Sequence, residues 1–386
     1  MAMLKVPDSK TRTDKAVLKA VDRACADLRR GDPVVLIGPE KRAVLVQAAE
    51  GTTDELIAEF SELSGLKPRL LLTAQRVRAL GLDALPTQGP DDGVLAFAIE
   101  GLNAERIAEL ADPTSGQDGA QQARALAPAA PSVWDAGAVD LVKLARLLPA
   151  ALSAPLDIPP GSHFDARLWA TGRGLRAVST GEVAAYRHAA ARTLVRVTES
   201  RLPLAGAEDT RVVAFRPHDG GIEHLALIIG QPDPGQAVLT RLHSECFTGD
   251  LLGSLRCDCG DQLRGAVTAI AEAGSGLVLY LAQEGRGIGL INKLRAYALQ
   301  DLGADTLEAN QQLGFDADER VYLPAAEMLR LLGFEKVKLL TNNPEKVAAL
   351  TRCGILVEDR VPHSFPSNQH NEAYLGTKAR RFGHLF

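Results

Sequence analysis

Short apolar runs and longer Ala-rich stretches alternate along this chain, and they predict most of its elements. In the first half, the runs predict strands at Pro33–Ile37, Val44–Gln47 and Arg69–Thr73. Helices are expected around Lys15–Arg30 and Asp54–Leu63. The stretch Asp112–Pro131, rich in Ala, Gly, Gln and Pro, reads as a loop. Pro155, Pro159 and Pro160 exclude a continuous helix over Leu148–Gly161, and Pro155–Thr180 reads as connecting structure.

The second half alternates more cleanly. Leu225–Ile229 and Ala237–Leu242 are expected as strands on either side of a Gln-Pro-Asp-Pro-Gly turn. Leu263, Val267 and Ile270 recur at helical spacing, and Gly274 closes that helix. Leu277–Leu281 is a short apolar strand running into Gln-Glu-Gly-Arg-Gly-Ile-Gly, with a helix over about Leu290–Asp301. Val337–Leu340 reads as a strand, and Thr341-Asn-Asn-Pro344 as a turn into a capped helix with Pro at its first position. Gly354 ends that helix, and Ile355–Val361 returns as a strand. Strand, polar loop and helix in repetition indicate α/β layering, with a site on the loops.

At 386 residues the chain is long for a single core, and two domains are expected, 1–180 and 181–386. The composition, 46% hydrophobic and 24% charged, is ordinary for a globular protein and leaves no room for extensive disorder. A net charge of −5 argues against a general nucleic-acid or membrane surface, though not against a local basic pocket. No apolar run reaches the roughly 18 residues of a membrane helix, and the N-terminus lacks a secretory apolar core. Few cysteines, most of them clustered, suit a reducing cytoplasm.

The cluster carries the strongest chemical signal. Three of the five cysteines, Cys246, Cys257 and Cys259, fall within fourteen residues. Cys-x10-Cys-x-Cys without a fourth Cys is the spacing of an open zinc site, whose fourth position is left for a water that the metal acidifies. His243 is a candidate fourth ligand, but only Ser-Glu separates it from Cys246, too little chain to wrap a metal. A closed site and buried free thiols are the alternatives. Cys257 and Cys259, two apart, share a face only on an extended or turn segment, so the helix is expected to start after them, near Asp261. Its N-terminus brings partial positive charge to the site, which suits a substrate that develops negative charge.

Several separated motifs, in order, give the second half its affinity: Arg-Leu-His-Ser-Glu-Cys, Ser-Leu-Arg-Cys-Asp-Cys-Gly, Gln-Glu-Gly-Arg-Gly-Ile-Gly-Leu, Asn-Lys-Leu-Arg-Ala-Tyr-Ala-Leu-Gln, Leu-Gly-Phe-Asp-Ala-Asp-Glu-Arg and Leu-Leu-Thr-Asn-Asn-Pro. From about Thr193 to Phe386 the chain resembles GTP cyclohydrolase II, which opens the imidazole ring of GTP at the entry to riboflavin biosynthesis. The resemblance implies an α/β fold with a mixed sheet and helices on both faces. It implies one zinc on Cys246, Cys257 and Cys259, whose water attacks C8 of the guanine, and magnesium with the triphosphate. Tyr297 would pass a proton or orient water, Asp318 would accept a proton, and Arg320 would address the α-phosphate. A guanidinium stays protonated, so stabilising phosphoryl charge is the physically easier role for Arg320.

Substrate contacts carried over in the same way are Arg241, Leu242, His243, Ser244, Glu245, Gln262, Glu284, Gly285, Arg286, Thr306, Thr341 and Lys346. Without the motifs, Tyr297 would read as a core aromatic, Asp318-Glu319-Arg320 as a solvated charge run and Lys346 as a surface lysine. One departure is Ala282, where members of the family often carry Arg; Arg286 downstream keeps a cation. A homodimer is expected, with GTP as substrate and neither nucleic acid nor membrane as partner. A relative that stops at the formamide product or acts on another nucleotide is the runner-up. A non-catalytic nucleotide-binding scaffold is the alternative from another class.

The first half is more faintly similar to dihydroxybutanone phosphate synthase, through Gly31–Ile37, Ala48–Glu50, Leu72–Leu82 and Gly137–Leu141. The resemblance implies an α+β domain. That family's acidic metal loop stands here as Gly38-Pro-Glu-Lys-Arg-Ala-Val-Leu45, and its Gly-His-Thr-Glu stretch as Val133–Ala136. Magnesium needs hard oxygen ligands, and nearly all of them are gone. A catalytically dead scaffold is expected.

Overall fold

The computed structural model describes all residues except 1–8, 40–41, 83–92, 116–122, 124–125, 157–163, 219, 372–375, 378–379 and 382–386. Pro159, Pro160 and two positions of the Gly38–Leu45 stretch therefore lie outside the described residues.

Fourteen strands among the described residues make two seven-stranded mixed sheets. The first contains β1 (Val34–Ile37), β2 (Ala43–Ala48), β3 (Arg69–Thr73), β4 (Val94–Ala98), β5 (Ala127–Pro128), β6 (Ala150–Pro155) and β7 (Ala177–Ser179), in the order β5-β4-β3-β6-β2-β1-β7. Its pairings are antiparallel except for β1 with β7. Alternate residues of a strand face opposite ways, and both faces are covered. Leu70 and Leu72 pack with Phe60 of helix Asp54–Ser64 and Ile107 of helix Ala104–Ala111. Leu71 packs with Val21 and Leu28 of helix Ser9–Arg30 and Val142 of helix Asp135–Leu144.

Pro155–Thr180, expected as connection, contributes helix Ala166–Thr171 and the edge strand β7. The helix is only six residues long and β7 only three, too short for either period to show in the sequence.

The second sheet contains β8 (Leu194–Arg201), β9 (Thr210–Pro217), β10 (His224–Ile229), β11 (Val238–Ser244), β12 (Gly276–Leu281), β13 (Lys336–Leu340) and β14 (Leu356–Val361), in the order β14-β13-β11-β12-β10-β9-β8. β12, β11, β13 and β14 run parallel to one another, while β10, β9 and β8 pair antiparallel. Leu277, Leu279 and Leu281 of β12 face Met328 and Leu329 of helix Leu323–Leu332 and Leu350 of helix Pro344–Arg352. Val278, between them, faces Ala266 and Ile270 of helix Cys259–Glu272. This is the expected mixed sheet with helices on both faces. No helix among the described residues is long and apolar enough to cross a membrane.

The sheets part between Ser179 and Leu194, whereas the packing follows a division of its own. One compact unit is Ala16–Tyr186 together with Ile291–Glu319; the other is Arg187–Leu290 and Arg320–Phe386, with Met1–Lys15. The excursion Ile291–Glu319 leaves the second half of the sequence and packs with the first. Of the expected site residues it takes Tyr297, Thr306 and Asp318.

Candidate metal centre and active site

The parallel strands of the second sheet end on one side in loops, and the loop after β11 carries the clustered cysteines. β11 delivers Arg241 to Ser244 and runs directly into Cys246. A single π-helical turn, Phe247–Leu251, then bends the chain back. Cys257 and Cys259 follow, and Cys259 is itself the first residue of helix Cys259–Glu272, with Asp258 at the N-cap position but making no side-chain capping bond, so the helix starts two residues earlier than the spacing suggested.

The three Sγ atoms all lie within 4.8 Å of one another. Cys246 Sγ and Cys257 Sγ are 3.7 Å apart. Zinc–sulfur bonds of about 2.3 Å at a tetrahedral angle separate two sulfurs by about 3.8 Å, so the spacing fits the ion. Gly249 supports the fit: a Cβ there would meet Cys257 Sγ at 2.8 Å and Cys246 Sγ at 3.0 Å. Its N–H instead donates to Cys246 Sγ at 3.3 Å. As thiols the group is poorly placed to ionise. Hydrogen bonding with Cys246, with burial added, pushes Cys257 up to about 11 and Cys259 well above the ordinary thiol range. A divalent cation reverses that balance, because it binds thiolates. These residues can hold a metal ion.

His243 is not among the grouped ligands. Its Nε2 lies 3.0 and 3.1 Å from the two oxygens of Asp250, and its ring stacks on Tyr280 with centroids 5.6 Å apart. Burial lowers its pKa against the opposing pull of Asp250. Asp250 also accepts from the Cys246 N–H and from the Tyr280 hydroxyl, each at 3.0 Å. Neither Asp250 nor Tyr280 was legible as a site residue, since nothing in the local pattern ties them to Cys246.

Arg241 is buried, donating to the Leu340 carbonyl at 2.9 Å and to Gln262, which in turn donates to Asp258. Burial brings its pKa down to about 10, although Asp258 opposes the shift. The Gln262 carbonyl lies 2.8 Å from His363 Nε2, and Asn342 holds the His363 backbone from both sides. Lys346 is buried, not a surface lysine, with Nζ donating to the Leu242 carbonyl at 2.9 Å. Thr341 is buried two residues from the Asn343 cap, whose N–H it accepts. Leu242 is core, while Ser244 and Glu245 are half-buried where β11 ends.

Glu284 is buried and accepts from the Phe247 N–H at 2.6 Å, which ties the Gly-Arg-Gly loop to the turn after Cys246. Gly285 and Arg286 both sit in the left-handed region, at φ 62° and 61°. For a non-glycine residue that conformation costs about 1–2 kcal/mol, and its occurrence in a loop beside the cysteines marks a constrained backbone. Arg320, half-buried, lies with its guanidinium carbon 5.7 Å from the Tyr322 ring centroid.

Tyr297, Thr306 and Asp318 belong to the other compact unit. Tyr297 is half-buried on helix Leu290–Asp301, with Lys293 Nζ 5.5 Å from its ring centroid, so it is not a core aromatic. Thr306 Oγ1 accepts from Gln300 at 3.4 Å, and Asp318 is exposed.

A mixed α/β sheet with three clustered cysteines just past the carboxyl end of a parallel strand, beside a strained glycine loop and a helix N-terminus, is the arrangement of an enzyme whose site could hold a metal ion. The family model of GTP cyclohydrolase II matches residues 195–362. A GTP cyclohydrolase-2 of Azospirillum brasilense is 52% identical over 382 residues, covering 98% of this chain and 97% of its own. The GTP cyclohydrolase-2 of Yersinia pseudotuberculosis is 56% identical over 192 residues, 50% of this chain and 97% of its own. A riboflavin biosynthesis protein RibBA of Synechocystis is 37% identical over 95% of this chain and 71% of its own length. The chain belongs to the GTP cyclohydrolase II family.

Proposed function

We propose that the protein hydrolyses GTP to 2,5-diamino-6-(ribosylamino)pyrimidinone 5'-phosphate, formate and pyrophosphate, the first step of riboflavin biosynthesis. The single observation that carries this reading is the Cys246–Cys257–Cys259 cluster at tetrahedral sulfur spacing, in a chain of this family. Cys246, Cys257 and Cys259 would hold the zinc, which would supply Lewis acidity for hydrolysis at the reacting carbon.

The remaining work falls to the chain's own groups. Tyr297 moves a proton at the guanine, Asp318 accepts one, and Arg320 stabilises charge at the α-phosphate. Glu284 and the left-handed pair at Gly285 and Arg286 shape a loop whose backbone can approach a phosphate closely. Thr306, Thr341 and Lys346 contribute further contacts to GTP, and magnesium accompanies the triphosphate. A homodimer and a cytoplasmic location accompany this reading; five free cysteines suit a reducing compartment.

Residues 1–180 form a scaffold without synthase activity of their own. Asp135, whose carboxylate lies in the stretch that stands for the synthase's catalytic motif, is consumed by structure. Arg69 donates to it at 2.9 Å, and the Ser132 N–H donates to its second oxygen at 2.8 Å. Trp134 is buried against Gly38, where a Cβ would meet its ring at 3.2 Å.

Purified protein incubated with GTP and magnesium should release formate and pyrophosphate together. Release of pyrophosphate without formate would favour the formamide-product relative, and release of neither would leave only nucleotide binding.

A further inference from the structure

A partly buried ion cluster among the described residues lies outside the chemistry above. Lys143, in the last turn of helix Asp135–Leu144, places Nζ 2.9 Å from Asp316 Oδ2 and 2.8 Å from Glu319 Oε1. Its side chain is 10% exposed and that of Glu319 7%, while that of Asp316 is 38% exposed. Gln75 donates to the other oxygen of Asp316 at 2.7 Å, and Glu319 Oε1 takes the Asp316 N–H at 3.3 Å. Just before this turn, Thr73 donates to the Gly314 carbonyl at 2.8 Å. Gly314 has φ 87°, and a Cβ there would stand 2.8 Å from Thr73 Oγ1. All these groups belong to the unit built on Ala16–Tyr186 and Ile291–Glu319.

A lysine withdrawn from water between two carboxylates is a poor device for stability, because desolvation consumes much of the Coulombic gain, but it enforces one geometry. The geometry enforced here is that of the turn Asp316–Glu319. The residue inside it is Asp318, whose side chain is exposed. Its placement therefore depends on how its two neighbours are fastened.

We propose that Lys143 is a positioning residue for the cyclohydrolase reaction: by clamping Asp316 and Glu319 it sets the backbone that presents Asp318. The inference rests on the reading of Asp318 as proton acceptor. It gives the first half of the chain a purpose, as the dock for the excursion Ile291–Glu319. A second clamp supports it. Arg295, two residues before Tyr297, bridges Glu50 and Asp112 at 2.9 Å each, and Asn292 donates to the carbonyl of Arg146, itself held at φ 61°.

The test uses the full-length zinc-loaded protein. Lys143→Met removes the charge and keeps the length, Lys143→Arg keeps the charge, and Lys67→Met, at an exposed ion pair of the same unit, is the control. Zinc content, affinity for a non-hydrolysable GTP analogue, kcat and KM for formate release, and hydrogen exchange over residues 310–322 are measured. Lys143→Met should lower kcat about 10- to 100-fold, the effect of a displaced catalytic group, with zinc and analogue affinity unchanged. Exchange should rise in that segment, Lys143→Arg should recover part of kcat, and Lys67→Met should match wild type. Wild-type kcat in Lys143→Met would overturn the proposal. If that variant misfolds, Gln75→Leu decides instead: a several-fold loss of kcat supports the clamp, and an unchanged kcat overturns it. Absence of formate release from the wild type would fail the cyclohydrolase reading itself, while the exchange comparison would still report whether Lys143 holds the turn.

Discussion

The carboxylate of Asp250 accepts the backbone N–H of Cys246 at 3.0 Å, and so fastens the first of the three thiol residues to a group four positions further on. The same carboxylate is shared with His243 and Tyr280, so strand, turn and ring are set by one acceptor. Metal ligands oriented by such outer contacts typically lose 10- to 100-fold in metal affinity when the contact is removed.

Asp250→Ala should therefore release zinc to a chelator faster than wild type, with affinity reduced about 10- to 100-fold. Competition with a colorimetric chelator measures this directly. Cobalt substituted at the site should show an altered thiolate charge-transfer band. An unchanged chelator titration would reduce the Asp250 contact to a turn-forming bond.

Cys257→Ser should lose the metal and formate release together, because two thiolates are too few protein ligands to retain zinc. The fold should persist, since Leu277, Leu279 and the helices packed on them form the core without the cluster. Metal analysis alongside far-UV circular dichroism checks both halves of that statement. Formate release surviving in the metal-free variant would sink the zinc assignment.

Tyr297→Phe deletes only a hydroxyl, on a half-buried ring. Zinc content and binding of a GTP analogue should be retained while ring opening falls on the order of 10²–10⁴-fold, the usual contribution of a positioned acid–base group. A rate equal to wild type would make Tyr297 a packing residue.

Stability should fall on acidification through the window set by His363. Burial, reinforced by the charge of Arg241, pushes its pKa down to about 4. An unfolded histidine takes its proton near pH 6.5, so between that pH and about 4 the unfolded chain binds more protons than the folded one. The loss from this residue is at most about 1.4 kcal/mol per pH unit across the window, and it levels off below the folded value. His243, lowered by its own burial, adds in the same direction. Denaturation midpoints of wild type and His363→Gln at pH 7 and pH 5 isolate the term. Equal pH sensitivity in the two proteins would remove His363 from the account.

Ribulose 5-phosphate with magnesium should be left unchanged by the full-length protein, because Asp135 is held by Arg69 and the Ser132 N–H. Any conversion seen by mass spectrometry, and lost on Asp135→Asn, would restore an active site to the first half.

Local pattern determined a large part of this protein. The apolar run Leu277–Leu281 becomes the central strand β12, and the Asn343 cap with Pro344 opens its helix as the turn chemistry requires. Cys246, Cys257 and Cys259 announce a metal site by spacing alone, since few other demands put three thiols within fourteen residues. These features are local, and each residue's role follows from neighbours a few positions away.

Only the tertiary structure decided the rest. β8 carries Arg196, Glu199 and Arg201 on a largely solvated edge, so its sequence shows no clean alternation, and pairing with β9 makes it a strand. Lys346 reads as a surface lysine until the fold brings the Leu242 carbonyl to it across 104 positions. Ile291–Glu319 lies in the second half of the sequence but packs with the first, because the partners that satisfy its charges are Glu50, Asp112 and Lys143. A buried charge takes its meaning from whichever opposite charge the packing delivers, and no period along the chain encodes that distance.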